Sequence, residues 1–503
     1  MPIRITGMNS GLDTEAIITQ LASARSVKVQ SLKKAQIKLS WKQDAWKALN
    51  TKIYSFYTDT LNDMKYQYSY AKKATTVSDS TKASVTTGDT AVNGTQSLNI
   101  LSLAKAGYMT GAKLSGNNTS KTTMADLGIT ENSSFTVTAG DGTTKDISIT
   151  GASTIADVVS QLKSAGVNAN FDEKQQRFYI SSTATGADND FNITASDVNG
   201  TNALSKLGLD VNASDCNKID GTNAKITLNG VNYESDNNVF EINGLTISAT
   251  AVTGAGEENA ITINTDDDYS GIYDMVKNFI TKYNSLINEM SSLYNADSAA
   301  GYDPLLSEEK ADLSDSEIED WEEKIKDALL RKDSTLSTIT TAMTGIMASG
   351  VSVTQSDGTS KTMYLSDFGI NALSYFSAAE NERNAYHIDG DSEDSSTKAN
   401  TEKLMNMIKT DPDSVTNFFT GLTKSLYDKM TELMAHTDYS SAYTVYEDRL
   451  MQSEYCDYNS KISAAEEKLN NYIDKWYSKF STMETALSKI NSQSSSLSNL
   501  LGQ

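Results

Sequence analysis

Side chains able to carry a reaction are scarce in this sequence, and those present are poorly spaced for chemistry. Only two histidines occur, His387 and His436, which nearly exhausts the supply for a nucleophilic triad or a His-rich zinc site. His387 stands beside Asp389, Asp391 and Glu393, a density of oxygen donors that suggests calcium. Read as an EF-hand loop from Asp389, however, its sixth position is Asp394, where the turn needs Gly. Its twelfth is Asn400, where a bidentate Glu is needed. A surface turn is the expectation there. Cys216 and Cys456 lie far apart and read as isolated thiols, too few for a disulfide framework. Gly254-Ala255-Gly256 has neither a third glycine nor an opening helix, and no GxxxxGK[ST] occurs, so neither phosphate-binding fingerprint is present. Asp and Glu occur throughout, so carboxylate pairing singles out no glycosidase site. The sequence makes no positive case for catalysis, and a non-enzymatic protein without cofactor or metal is expected.

Composition narrows the partners. The 503 residues suffice for three or four domains, each with its own core. A net charge of -22, from 43 basic against 65 acidic residues, argues against nucleic acid, because phosphate recognition depends on Lys and Arg. No run of about 18 apolar residues is present, so no membrane span is expected. Met1-Pro2-Ile3-Arg4 leads into polar, helix-prone sequence rather than an apolar run before a cleavage site, so no secretory signal is expected either.

The elements that give this chain a role are therefore structural. Apolar residues recur every seven positions at Ile462, Leu469, Trp476, Met483, Ile490 and Leu497. A second row, Ile473, Phe480, Leu487 and Leu501, falls four residues after members of the first and is broken by Ser494. Alternating steps of four and three keep an apolar seam facing a partner helix in a left-handed coiled coil. At the other end Leu32, Leu39, Trp46 and Ile53 repeat the spacing with mixed companions (Ala35, Lys42, Leu49, Phe56), and Asp13 or Thr14 can cap the start after Gly11. The two termini are expected to pair with each other or with neighbouring subunits.

Between them the period changes to two. Runs such as Ser97–Leu103 and Lys225–Leu228, punctuated by Gly140-Asp141-Gly142, Asn229-Gly230 and Asn243-Gly244, predict half-buried strands and tight hairpins, with one helix near Thr154–Ser164. From Asp268 the helical period returns in a wide stripe from Ile272 to Met290, followed by helices near 316–330, 333–348 and 401–435 and a hairpin around Val351–Tyr364. The acidic stretch Glu308–Glu323 reads as a solvated helix with its cap. The predicted fold class is α+β and multidomain. Residues 1–44 and 455–503 form terminal coiled-coil helices, and 45–74 with 266–454 a helical leg domain. Residues 75–119 with 211–265 form an inner β-rich head domain, and 120–210 an outer one.

At this point the chain resembles a known family. Residues 8–24 (MNSGLDTEAIITQLASA), Leu329–Leu336, Leu365–Ile370, Asp411–Val415 with Phe418-Phe419, and Met483–Leu497 are together similar to the flagellar hook-associated protein 2 family, the filament cap. Gly151–Ser182 resembles a repeat of variable domains in flagellins and caps. The resemblance implies a homo-oligomeric ring at the distal end of the bacterial flagellar filament, with terminal helices as legs and β domains as a plate. Beneath it, exported flagellin folds and inserts. It also implies export through the flagellar apparatus without a cleaved signal peptide, and as further partners an export chaperone and the hook–filament junction proteins. The acidic segment 306–326 departs from the family's pattern. The rival readings are another axial protein, flagellin or junction protein, and from a different class an adhesin using the β-rich head and its share of the 24 tyrosines.

Overall fold

A computed structural model describes residues 10–88, 90–354 and 358–502. In chain order its main helices are α1 (Thr14–Ser55), α2 (Ile155–Ser164), α3 (Val198–Lys206), α4 (Tyr269–Asn295), α5 (Asp315–Asp327), α6 (Ser334–Met347), α7 (Pro412–Leu433) and α8 (Asp448–Leu501). The strands are mostly confined to Lys73–Asp267, with two short hairpins at 351–363 and 370–388. The fold is α+β, and it divides into two compact units: Ala71–Asp268, and the chain on either side of it.

The helical unit is built around one large core. The N-terminal segment contributes Trp46, Leu49 and Ile53, α4 contributes Val276, Phe279 and Tyr283, and α7 contributes Phe418, Phe419 and Leu422, all nearly inaccessible to solvent. At the end of α1 the helix widens into a π-turn at Phe56–Leu61. That extra residue per turn lets adjacent Phe56 and Tyr57 both face inward, where they stack on Phe279 at 6.1 Å and Tyr427 at 4.3 Å. Helix starts follow ordinary capping: the Asp13 carboxylate accepts from Ala16 N–H, Asp333 from Leu336 N–H and Asp411 from Ser414 N–H. Expected helix 401–435 is two elements, Leu404–Thr410 and α7, because Asp411-Pro412 interrupts the ladder and restarts it with Pro in the first turn.

The β-rich unit contains two cores. The first lies on a five-stranded antiparallel sheet ordered Lys73–Val77, Ile261–Asp267, Gly94–Ser102, Ala224–Leu228, Val231–Ser235, with a three-stranded sheet beside it. Asn229-Gly230 and Asn243-Gly244 both adopt positive φ (51° and 79°, 49° and 76°), the mirror-image turn that matches strand twist. The second core, including Phe135, Ile147, Phe178 and Ile180, is covered by α2 and α3. Thr154 and Asp157 close a capping box on α2. Helix α3 was not anticipated, because Val198–Lys206 holds Asn, Gly and Thr and shows little apolar period.

This second core reaches beyond the 120–210 expected for it. Tyr108–Thr110 pairs with Tyr179–Ser181 and with Asn217–Ile219, and Met109 and Leu114 are buried in the same core. Three-residue strands are too short to reveal a period, so the sequence could not assign them. We expect Phe178→Ala to lower the stability of a fragment spanning 71–268 by about 3–5 kcal/mol, read by urea denaturation. A fragment that shows no cooperative unfolding transition would contradict its reading as an autonomous unit.

Candidate assembly site

The two helices singled out by their sevenfold spacing, α1 and α8, lie against each other in antiparallel fashion. Partners rise along one helix as they fall along the other. Ser10 meets Glu484, Glu15 accepts from the Tyr477 hydroxyl at 2.7 Å, and the Arg25 guanidinium lies 4.5 Å from the Tyr472 ring centre. Lys33 pairs with Glu466 at 2.6 Å and Gln36 donates to Asn459 at 2.6 Å. At the end of the pairing nearest the core, Trp46 stacks on Tyr446 at 5.5 Å, and Asn50 bonds the backbone of Tyr443 and Val445.

The predicted seam residues do not share one environment. Ile462 is buried, while Leu469, Ile473, Trp476, Phe480, Met483 and Leu487 are half-buried. Ile490 and Leu497 are 57% and 61% exposed, and lie beyond Glu484, which is bonded to Ser10 at the described start of the N-terminal segment. The side chain of Leu501 lies outside the described residues. The residues that complete the contact on α1 include Thr14, Ile18 and Val29, all buried. Ile18 continues the Leu32, Leu39, Trp46 spacing backwards, and Arg25 stands where an apolar residue would be. A planar guanidinium on an aromatic face keeps its charge in water while covering apolar area, so the seam tolerates it. That cation–aromatic substitution was the signal available in the sequence for extending the N-terminal row.

The acidic segment is anchored rather than free. Glu309 pairs with Lys34 of α1 at 2.6 Å; the Leu306 N–H and then this ammonium hold its carboxyl below the usual range. Glu322, nearly buried, lies between Lys310 at 2.5 Å and Lys326 at 3.3 Å, and the Lys326 ammonium lies 4.8 Å from the Trp41 ring centre of α1. Partial burial works against the charge on Glu322, and the two ammonium groups outweigh it.

The carboxylates of the oxygen-rich turn near His387 are likewise taken up by groups of the chain. Asp391 and Glu393 each hold the Lys277 ammonium at 2.7 Å, Asp389 accepts from Asn400 at 2.7 Å, and His387 Nδ1 meets Asp394 at 2.5 Å. Asp389 and Asp391 are buried, so this turn is more enclosed than the surface turn expected. Among the described residues no group of three or more His, Cys, Asp or Glu is placed to hold a metal ion, and no helix is long and apolar enough to cross a membrane. Cys216 is half-buried and Cys456 exposed, both free thiols.

Family models for the flagellar hook-associated protein 2 N-terminus and C-terminus match residues 10–107 and 221–492. The chain belongs to the flagellar hook-associated protein 2 family. Relatives of that name are 25% identical in Halalkalibacterium halodurans, over 98% of this chain and 99% of the relative, and 25% identical in Escherichia coli K12, over 98% and 96%. The fold is similar to the D1-D2-D3 domains of the flagellar cap protein from Escherichia coli, with TM-score 0.52 and 22% identity over 78% of this chain and 96% of that one. The family is that of the flagellar filament cap, a structural assembly, and not that of flagellin, a junction protein or a separate adhesin.

Two outcomes follow for the paired helices. Replacing Trp476, Met483 and Leu487 with Ser removes about 1 kcal/mol per half-buried position. Limited proteolysis with mass spectrometry should then cut both α8 beyond residue 462 and α1 before residue 35 at least tenfold faster; an unchanged digestion pattern would show that the seam does not hold the pair. At the start of α8, partial burial raises the Asp448 carboxyl. Its bonds from Ser441 N–H and Oγ–H, each 2.6 Å, outweigh this and hold it below the usual range. A depressed folded value means that the stabilisation is present above the unfolded pKa of about 3.9 and lost as pH falls through the lower folded one. Asp448→Asn should therefore lower Tm at pH 7 and make Tm less dependent on pH below about 4; parallel Tm curves for variant and parent would rule the linkage out.

Proposed function

We propose that this chain assembles as a ring of identical subunits at the distal end of the bacterial flagellar filament, where it promotes folding and insertion of exported flagellin. The observation that carries the reading is the α1–α8 pair: an apolar seam satisfied within the chain as far as Met483 and Leu487, and continuing without a described partner at Ile490 and Leu497. A heptad row that continues past the described part of its own partner is suited to a helix of another subunit or of the filament. Ile462, Leu469, Ile473, Trp476, Phe480, Met483, Leu487, Ile490, Leu497 and Leu501 are the assembly residues on this reading, the first seven through the internal pair and the rest through a neighbour. The helical unit is then the leg and the two β-rich cores the head domains.

No step of this role requires chemistry, which fits a site made of packing and ion pairs. The partners are further copies of the chain, flagellin, a flagellar export chaperone and the hook–filament junction proteins. The place of action is extracellular, at the filament tip, after export by the flagellar apparatus without a cleaved signal peptide. A strain lacking the protein should release unpolymerised flagellin into the medium and lose motility, with both restored by the intact gene and neither by one encoding Ile490→Asp with Leu497→Asp. Full-length filaments on the deletion strain would refute the cap reading.

A further inference from the structure

The α1–α8 pair carries a groove unlike the rest of this acidic surface. Its floor includes Leu32 and Leu469, its rim is Arg25, Lys28, Lys461 and Lys468, and it encloses ≈ 440 Å³, within the range of clefts that hold a ligand. Among the described residues none of the four rim cations is paired with a carboxylate; Arg25 and Lys461 instead face the rings of Tyr472 and Tyr458. In a chain of net charge -22, four neighbouring unpaired cations around an apolar floor specify an acidic partner with an apolar tip.

The same chain presents such a tip elsewhere. In the loop between Ala372 and Tyr386, Phe376 is 96% exposed and Tyr375 63%, their rings at 5.8 Å edge to face. The loop is held in shape: Ser374 O accepts from both Ser377 and Ala378 N–H at 2.9 Å, and the Arg383 guanidinium covers the Tyr375 ring at 4.1 Å. Its base is fixed where Asn284 bonds both backbone groups of Tyr386, at 2.6 and 2.8 Å. Glu380 and Glu382 are exposed beside the two rings. Aromatic side chains held rigidly in water are the usual anchors of an interface. The loop does not occupy its own groove: Phe376 is 96% exposed, and the loop is tied to α4 through Asn284 and Asn295. Asn295 in turn meets Lys332, beside the Asp333 that pairs with Lys42 of α1, and Leu32 of the groove lies ten residues from Lys42 along α1, about 15 Å away.

We propose that the Phe376 loop of one copy seats in the α1–α8 groove of the next, the rings on its apolar floor and Glu380 and Glu382 against its basic rim. Each copy uses two different patches, so the contact propagates head to tail rather than stopping at a two-fold dimer, and it gives a ring when the rotation between copies closes. This rests on the self-association proposed above and names the surfaces that make it.

The test uses the full chain with Cys216 and Cys456 changed to Ser. Mixing a Phe376→Cys protein with an Ala465→Cys protein under mild oxidant should give a disulfide-linked dimer that neither forms alone. Phe376→Ser, at a position whose ring lies almost wholly in water, should weaken self-association at least tenfold by sedimentation. Lys28→Glu with Lys468→Glu should do the same, and adding Glu380→Lys with Glu382→Lys should restore it. If the parent forms its oligomer while Phe376→Ser is unaffected and no cross-link appears, this contact is wrong and the ring stands. If the parent remains monomeric at every concentration, both the contact and the ring reading are overturned. Binding of flagellin in the groove, seen as flagellin protecting Ala465→Cys from a thiol reagent with no cross-link between copies, would also overturn it.

Discussion

The interaction on which the remainder depends is the closure of the chain on itself through its two terminal helices. Ser10 and Glu484 touch although 474 positions separate them, and Tyr477 reaches Glu15 across 462. The helical core has the same non-local character, since Trp46 and Ile53 from one end pack in a cluster with Phe418 and Leu426 from the other. Bringing such segments together costs chain entropy before any contact returns it, so the core of the helical unit needs both flanking segments of the chain. The β-rich unit, by contrast, starts and ends on adjacent strands: Lys73 pairs with Asp267 in register, so an insertion of this length leaves its two attachment points side by side.

Charge does a second kind of work. A surface with so many carboxylates stays soluble, but each carboxylate brought near the core needs a cation. Lys34, Lys310 and Lys326 satisfy the acidic segment and tie it to α1, and Lys277 satisfies the turn at Asp391 and Glu393. Such pairs contribute little net stability when exposed, yet leaving one partner buried alone is costly, so they act chiefly to specify which surfaces meet. The loop that resembled a calcium site is explained in the same way. Its acids are committed to lysine and amide groups of the chain.

A cap needs no reacting groups if its task is to hold a shape against a growing polymer, and the distribution of residues fits that. The large aromatic side chains are concentrated in the helical core and along the terminal pair. Along the α1–α8 pair the apolar side chains are buried near Trp46, half-buried near Trp476 and exposed at Ile490 and Leu497. Half-buried apolar positions separate at modest cost, which is the property required where one partner must be replaced by another.

The sequence by itself determined the class of the molecule. Sevenfold spacing is a local property of the helix, and so the seam, the period-two middle, the Asn-Gly turns and the scarcity of reactive side chains were all legible without coordinates. So was the family, through short runs spread from residue 8 to Leu497. What it could not contain was which partner each periodic face meets. Whether α8 pairs with α1 of the same chain, where that pairing stops, and that Arg25 completes it through Tyr472 depend on residues hundreds of positions away. The three-residue strand Tyr108–Thr110 and helix α3 have too few residues to show a period, so only their neighbours in the folded core assign them. The acidic stretch is solvated along most of its length, as its charge indicates, but charge alone carries no information about Lys34, which arrives from another helix to hold Glu309. Tertiary structure decided these points because each is an energy shared between segments, and neither segment encodes it alone.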